Sequence, residues 1–197
     1  MRAKNPMISL EGMASHPIVS FCSEFFYLKS LYRQGWLKEG RGIPEEKCES
    51  VADHSFGVAM LSYVIAEEYM PELDASKVIR MALLHDLCEA HAGDTTPSDN
   101  VSEQEKHEKE SEAMNGLFKR IPNGSKYIQL WEEYEEQKTT EARFVKEIDK
   151  LEMAMQALMY ETQGGYNVEE FFPYVQQRLS SPEVKKILED ILRIRKK

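Results

Sequence analysis

The chain is poor in cysteine, poor in glycine and without a long apolar run, and each shortage excludes a class of protein. Its three cysteines, Cys22, Cys48 and Cys88, are widely spaced and form no CxxC pair, so neither a disulfide framework nor a thiolate zinc cage is expected. A reducing compartment, the cytoplasm, fits such thiols. No stretch approaches the ~18 apolar residues that span a bilayer, and MRAKNPMISLEGMASH lacks the continuous apolar centre of a secretion signal. Basic residues number 25 against 34 acidic ones, a net charge of -9. That deficit argues against a nucleic-acid surface, which neutralises phosphates with many Lys and Arg side chains. An anionic substrate would need a local positive site, such as a metal ion with a few placed arginines, to overcome the acidic field.

What is present points to helices. Ten methionines against ten glycines in 197 residues, with 42% hydrophobic and 30% charged residues, suit one helical domain. Residues 1–16 read as a loose segment and 17–197 as the domain. After Pro17, Phe21, Phe25, Leu28 and Leu31 keep helical spacing, which predicts a first helix closing near Gly35. Ser50 and Asp53 resemble a capping box that starts a second helix near Val51, ended by Pro71. Asp74 can cap a third, running through SKVIRMALLHDLCEAHA to Gly93 and apolar on nearly every side. Ser102 with Glu105 opens a charged helix ending near Pro122, and a short helix around YIQLWEEYEEQ follows. A long helix over EARFVKEIDKLEMAMQALMYET and two C-terminal helices, the last begun by Ser181-Pro182, complete an all-α bundle of about seven or eight helices.

Polar residues inside apolar helices carry the chemistry, because an unpaired buried polar group costs roughly 1–3 kcal/mol. His85 and Asp86 lie in the most apolar part of the third helix, with Glu89 one turn on. His54, in the first turn of the second helix, and Asp149, inside the core stripe of the long one, are the other interruptions. Two imidazoles and two carboxylates suit a divalent first-row cation, from Mn to Zn. The bland alternatives are a buried hydrogen-bonded His-Asp pair and an Asp149 paired with Lys150 or Lys146.

The order His54, His85-Asp86, Asp149, together with ESVADHS, HDLCEAHAGD, TPSDN, LWEEYEE and FVKEIDKLEMAMQA, resembles the HD-domain phosphohydrolase superfamily, and within it the 5'-deoxynucleotidase branch. The resemblance runs from about Phe21 to Gln163. It implies that His54, His85, Asp86 and Asp149 bind a divalent ion such as Mn or Co, that Glu89 is the catalytic acidic residue, and that Asp94 sits against the sugar and discriminates deoxyribose from ribose. It implies an aromatic wall at Trp36 and a phosphate-binding arginine, either Arg33, in an RxGW pattern, or Arg41 in the longer loop. The implied reaction is hydrolysis of a deoxyribonucleoside 5'-monophosphate by metal-activated water, in a homodimer. Phe171, Phe172 and Tyr174 are candidate interface residues that could equally be core. Two rivals stay open: another HD-type phosphodiesterase or triphosphohydrolase, and a noncatalytic metal-binding helical protein.

Overall fold

The computed structural model describes residues 15–38, 40–96 and 99–195. The first fourteen residues of the expected loose segment lie outside them, as do Pro97 and Ser98 of TPSDN. The chain forms α1 (Pro17–Phe25), α2 (Val51–Tyr69), α3 (Ala75–Leu84), α4 (Glu89–Ala92), α5 (Glu103–Phe118), α6 (Ser125–Glu136), α7 (Thr140–Gly164), α8 (Phe171–Gln176) and α9 (Pro182–Arg195). Among the described residues there is no strand; Tyr32 and Ser50 form one isolated antiparallel bridge.

Local chemistry explains most boundaries. Ser50 Oγ accepts from Asp53 N at 3.1 Å, and Asp53 Oδ2 accepts from Ser50 N at 2.9 Å, closing the expected box at the head of α2. Ser102 and Glu105 close the second box at α5. At α9 the start is as expected but the capping oxygen is not: Glu147 of α7 receives Ser180 N and Ser181 N, both at 3.0 Å.

Two helices are shorter than their sequences suggest. The first stops at Phe25 and tightens into a 3-10 turn over Phe26–Lys29, which frees residues 31–33 to pair with the segment before α2: Val51 N donates to Leu31 O at 2.8 Å and Arg33 N to Glu49 O at 3.1 Å. The third helix breaks between Leu84 and Glu89 without glycine or proline. His85 Nδ1 donates to Ala82 O at 2.7 Å, taking the carbonyl that Asp86 N–H would use in a continuing helix. The chain goes on through tight turns, Leu87 N to Leu84 O and Glu89 N to Asp86 O, both 3.1 Å. His85 and Asp86 thus sit at a corner rather than within a helix, and Leu83 is exposed rather than buried.

Two apolar cores flank that corner. One gathers Val58, Met81, Ala82, Ile148, Leu151 and Phe172 around α7, which touches α2, α3, α6, α8 and α9. The other gathers Leu28, Val51, Leu87, Met114, Phe118 and Trp131. On α2, Val51 serves one core and Val58 the other, with His54 between them, and His85-Asp86 likewise lies between Ala82 and Leu87. The polar cluster therefore occupies the seam.

Ile148→Ala, at a fully buried position of α7, is expected to cost about 2–5 kcal/mol in urea unfolding, whereas Met159→Ala, 43% exposed on the same helix, should stay within about 0.5 kcal/mol. Glu110 supplies a pH test. Burial, with Glu135 and Asp86 nearby, pushes its carboxyl from the ordinary 4.5 to about 7 against the pull of Lys106 and Lys146. A carboxyl whose folded pKa is raised contributes stability below its unfolded pKa, near 4.5, and loses it as pH rises through about 7. Glu110→Gln should therefore be more stable than wild type at pH 8, with the difference shrinking toward pH 4.5 in paired melts.

Candidate functional site

Four acceptor atoms from three parts of the fold meet at the seam. His54 Nε2 and His85 Nε2 face each other at 3.4 Å. Asp149 Oδ1 lies 3.3 Å from His54 Nε2, and Asp86 Oδ2 lies 3.2 Å from His85 Nε2 and 3.5 Å from His54 Nε2. His54, His85 and Asp149 are all buried. Each imidazole is anchored through its other nitrogen, His85 Nδ1 on Ala82 O and His54 Nδ1 on Glu152 Oε2 at 2.6 Å. Since a carbonyl and a carboxylate can only accept, both Nδ1 atoms carry the proton and both Nε2 lone pairs point inward. Two lone pairs and two carboxylate oxygens thus face one another, an arrangement that a cation satisfies.

The charges agree with that donor set. Burial opposes ionisation of Asp149 and Asp86, but Lys150 and His54 hold Asp149 well below the usual carboxylate range, and His85, Arg33 and His54 do the same for Asp86. Burial and Arg33 also oppose protonation of His54, yet Glu152 and Asp149 raise its proton affinity well above the ordinary value, so a cation at Nε2 would take the place of a proton shared with Asp149. Lys150 Nζ takes the outer oxygen of Asp149, Oδ2, at 3.0 Å. The alternative pairing of Asp149 with Lys150 is therefore present, but on a buried carboxylate whose other oxygen faces His54.

Glu89 stands beside this cluster at the head of α4. It is buried, its Oε2 has no hydrogen-bond partner, and burial with the neighbouring Asp86 and Asp94 raises its pKa well above the ordinary value. Gly93, at φ 80°, ends α4 in a conformation that favours glycine. Asp94 follows, buried, accepting from Gln34 N and from Arg33 Nη1 at 3.3 Å. The same Nη1 reaches Asp86 Oδ2 at 3.3 Å.

The two candidate arginines part company here. Arg33 joins the cluster because the Tyr32–Ser50 bridge pins its backbone beside the start of α2. Arg41 lies over the Phe171 ring, 4.4 Å from its centroid, and pairs with Glu170. Trp36 is only 3% exposed: its indole donates to Glu49 Oε1 at 2.5 Å and packs on Phe171 and Tyr160. Phe172 is core, and Phe171 packs against Trp36, so neither aromatic offers a free interface. Tyr134 is buried with its ring 5.6 Å from His85. His91 pairs with Glu24, and His107 stacks on Trp131.

A cleft of about 1010 Å³ opens onto the cluster, lined by His85, Asp86, Glu89 and Asp149 as well as Arg33 and Asp94. Sequence reasoning passed over Glu152, which holds His54, and Glu49, whose carboxyl burial and Glu152 push up to about 7. The available signal for Glu152 was its place one turn beyond Asp149, between Leu151 and Met153.

The chain is similar to known proteins over most of its length. An HD domain model matches residues 27–191. The chain is 33% identical over 195 residues to the 5'-deoxynucleotidase HDDC2 of Bos taurus, an alignment spanning 97% of this chain and 92% of that protein. A conserved hypothetical protein from Pyrococcus furiosus superposes with a TM-score of 0.71 at 32% identity, over 89% of this chain and 99% of that one. A predicted metal-dependent phosphohydrolase from Magnetospirillum magnetotacticum MS-1 gives 0.64 at 28% identity, over 90% and 94%. With a match over most of its length and the His54, His85-Asp86 and Asp149 cluster at its seam, the chain belongs to the HD domain family.

Proposed function

We propose that the protein is a metal-dependent 5'-deoxynucleotidase, releasing phosphate from deoxyribonucleoside 5'-monophosphates. The observation that carries the reading is the convergence of His54 Nε2, His85 Nε2, Asp86 Oδ2 and Asp149 Oδ1, four atoms that can each give a lone pair to one ion. These residues would hold a divalent ion, Mn or Co among the candidates, since nitrogen and carboxylate donors suit such cations. When bound there, the ion supplies a Lewis acid for water and a phosphoryl oxygen. The relatives named 5'-deoxynucleotidase support the substrate class.

Around that centre the chain's own groups have separate tasks. Glu89 is the proton-handling residue. Its unpartnered Oε2 and raised proton affinity suit a carboxyl that takes a proton from water or gives one to the leaving oxygen. Arg33, held between Asp86 and Asp94, is the phosphate-binding arginine, and its guanidinium brings positive charge to a cluster otherwise rich in carboxylates. Arg41, over Phe171, and Trp36, behind it, shape the far wall. Asp94 faces the sugar: each of its oxygens already accepts one bond, and each keeps a further lone pair for a 3'-hydroxyl.

Residues 17–197 act as one domain, supported by the family match over 27–191, and the protein works in the cytoplasm, in keeping with three free thiols. A homodimer is supported by α2, where Phe56, Met60, Tyr63 and Val64 expose one apolar face.

With Mn or Co, purified protein should release phosphate from deoxyadenylate faster than from adenylate. Glu89→Ala should lower kcat by about 10²–10⁴-fold while still binding the ion. No release from either nucleotide by ion-loaded protein would refute the enzymatic reading, and faster release from adenylate would remove the discriminating role of Asp94. Light scattering should give a two-chain mass, reduced to one chain by Phe56→Glu; a wild-type monomer would remove the dimer.

A further inference from the structure

A glycine in the middle of α2 calls for an explanation. Gly57 has a helical neighbour on every side, and glycine there costs a helix roughly 1 kcal/mol relative to alanine. Its backbone needs no special freedom, since it is absent from the positive-φ glycines. Space explains it instead. A β-carbon at Gly57 would lie 2.8 Å from Glu152 Oε1, 3.1 Å from its Cγ and 3.3 Å from its Cδ, closer than carbon and oxygen tolerate.

Glu152 is held in that space for a reason visible on its other oxygen. Oε2 accepts from His54 Nδ1 at 2.6 Å, with His54 fully buried and Glu152 7% exposed. Gly57 lies one turn after His54 on α2, and Glu152 lies one turn after Asp149 on α7. The glycine lets the α7 carboxylate reach across to the ring behind its outward edge. Without that acceptor, Nδ1 would lose its buried partner and the ring could present either nitrogen to the cluster.

We propose that Glu152 is the positioning residue of the metal centre, fixing the His54 tautomer so that the Nε2 lone pair faces the ion, and that residue 57 is glycine because Glu152 fills the space of its β-carbon. The inference rests on the reading that His54, His85, Asp86 and Asp149 hold the ion. Glu49 is also near, with one ligand atom from each of Glu49, His54 and Glu152 lying within 4.8 Å of the others.

The test is a calorimetric titration of the chelator-stripped full chain with Co2+, beside the thermal midpoint of each stripped variant. Wild type should bind one ion. Glu152→Ala should bind it about 10–100-fold more weakly, the usual effect of losing a ligand's supporting partner, and Glu152→Gln should recover part of the loss because its amide oxygen still accepts Nδ1–H. Gly57→Ala should weaken binding although its stripped midpoint does not fall, and Gly57→Ala combined with Glu152→Ala should bind no more weakly than Glu152→Ala alone, the clash having gone. Unchanged affinity in both Glu152 variants overturns the proposal, as does a Gly57→Ala effect that persists in the Glu152→Ala background. Two ions per chain would make Glu152 a ligand of a second site and also overturn it. A wild type that binds no Co2+, Mn2+ or Zn2+ overturns both this inference and the reading beneath it.

Discussion

Four acceptors aimed at one another, all but Asp86 on buried residues, are unfavourable unless something positive lies between them, and the structure is organised to hold them there. Each is fixed from behind by a different group: His85 by the Ala82 carbonyl, His54 by Glu152, Asp149 by Lys150 and Asp86 by Arg33. His54 is held from α7 and Asp86 from the segment before α2, whereas His85 and Asp149 are held by groups of their own helices. α2, the α3–α4 corner and α7 must all be docked before the acceptors meet, so cation binding and tertiary packing are thermodynamically linked. The seam between two apolar cores suits such a cluster. It offers rigid walls on both sides, yet one end opens into the cleft.

The charge problem posed by an acidic chain that handles an anion is solved locally. Asp86, Glu89, Asp94 and Asp149 are concentrated around a single guanidinium, and they raise the proton affinity of Arg33 against the cost of burying it. Carboxylates outnumber cations within the cluster, so an ion is drawn in; once it is there, the sign of the local field reverses. Glu89 gains from the same surroundings. A carboxyl that is buried and crowded by Asp86 and Asp94 keeps its proton more readily than a surface glutamate.

Much of this was legible in the sequence where the cause is local. The Ser50–Asp53 box and the placing of His54 in the first turn follow from a hydrogen-bond pattern four residues long, and Asp149 stands out as a charge in an apolar stripe. The breaks were not legible. Nothing in LLHDLCEA signals the end of α3, because the breaker is a histidine side chain taking its own helix's carbonyl. The end of α1 at Phe25 depends on strand-like pairing of residues 31–33 with 49–51, and so does the choice between Arg33 and Arg41. Glu152 reads as an ordinary glutamate until α2 is placed against α7.

The local irregularities fall together in space. A glycine inside α2, a helix broken without glycine or proline, a buried carboxylate oxygen with no partner, and like charges on adjacent turns all border the same cluster. The surrounding cores are contiguous clusters of buried apolar residues. Elements chosen for stability alone would carry alanine at 57, continue α3 through 85 and leave no carboxylate at 89, since each change removes a local cost. Their concentration around the four inward-facing acceptors is what separates a site from a flaw. Each departure either brings an acceptor into the cluster or keeps a proton-bearing group beside it, and the two cores supply the stability that lets all of them persist.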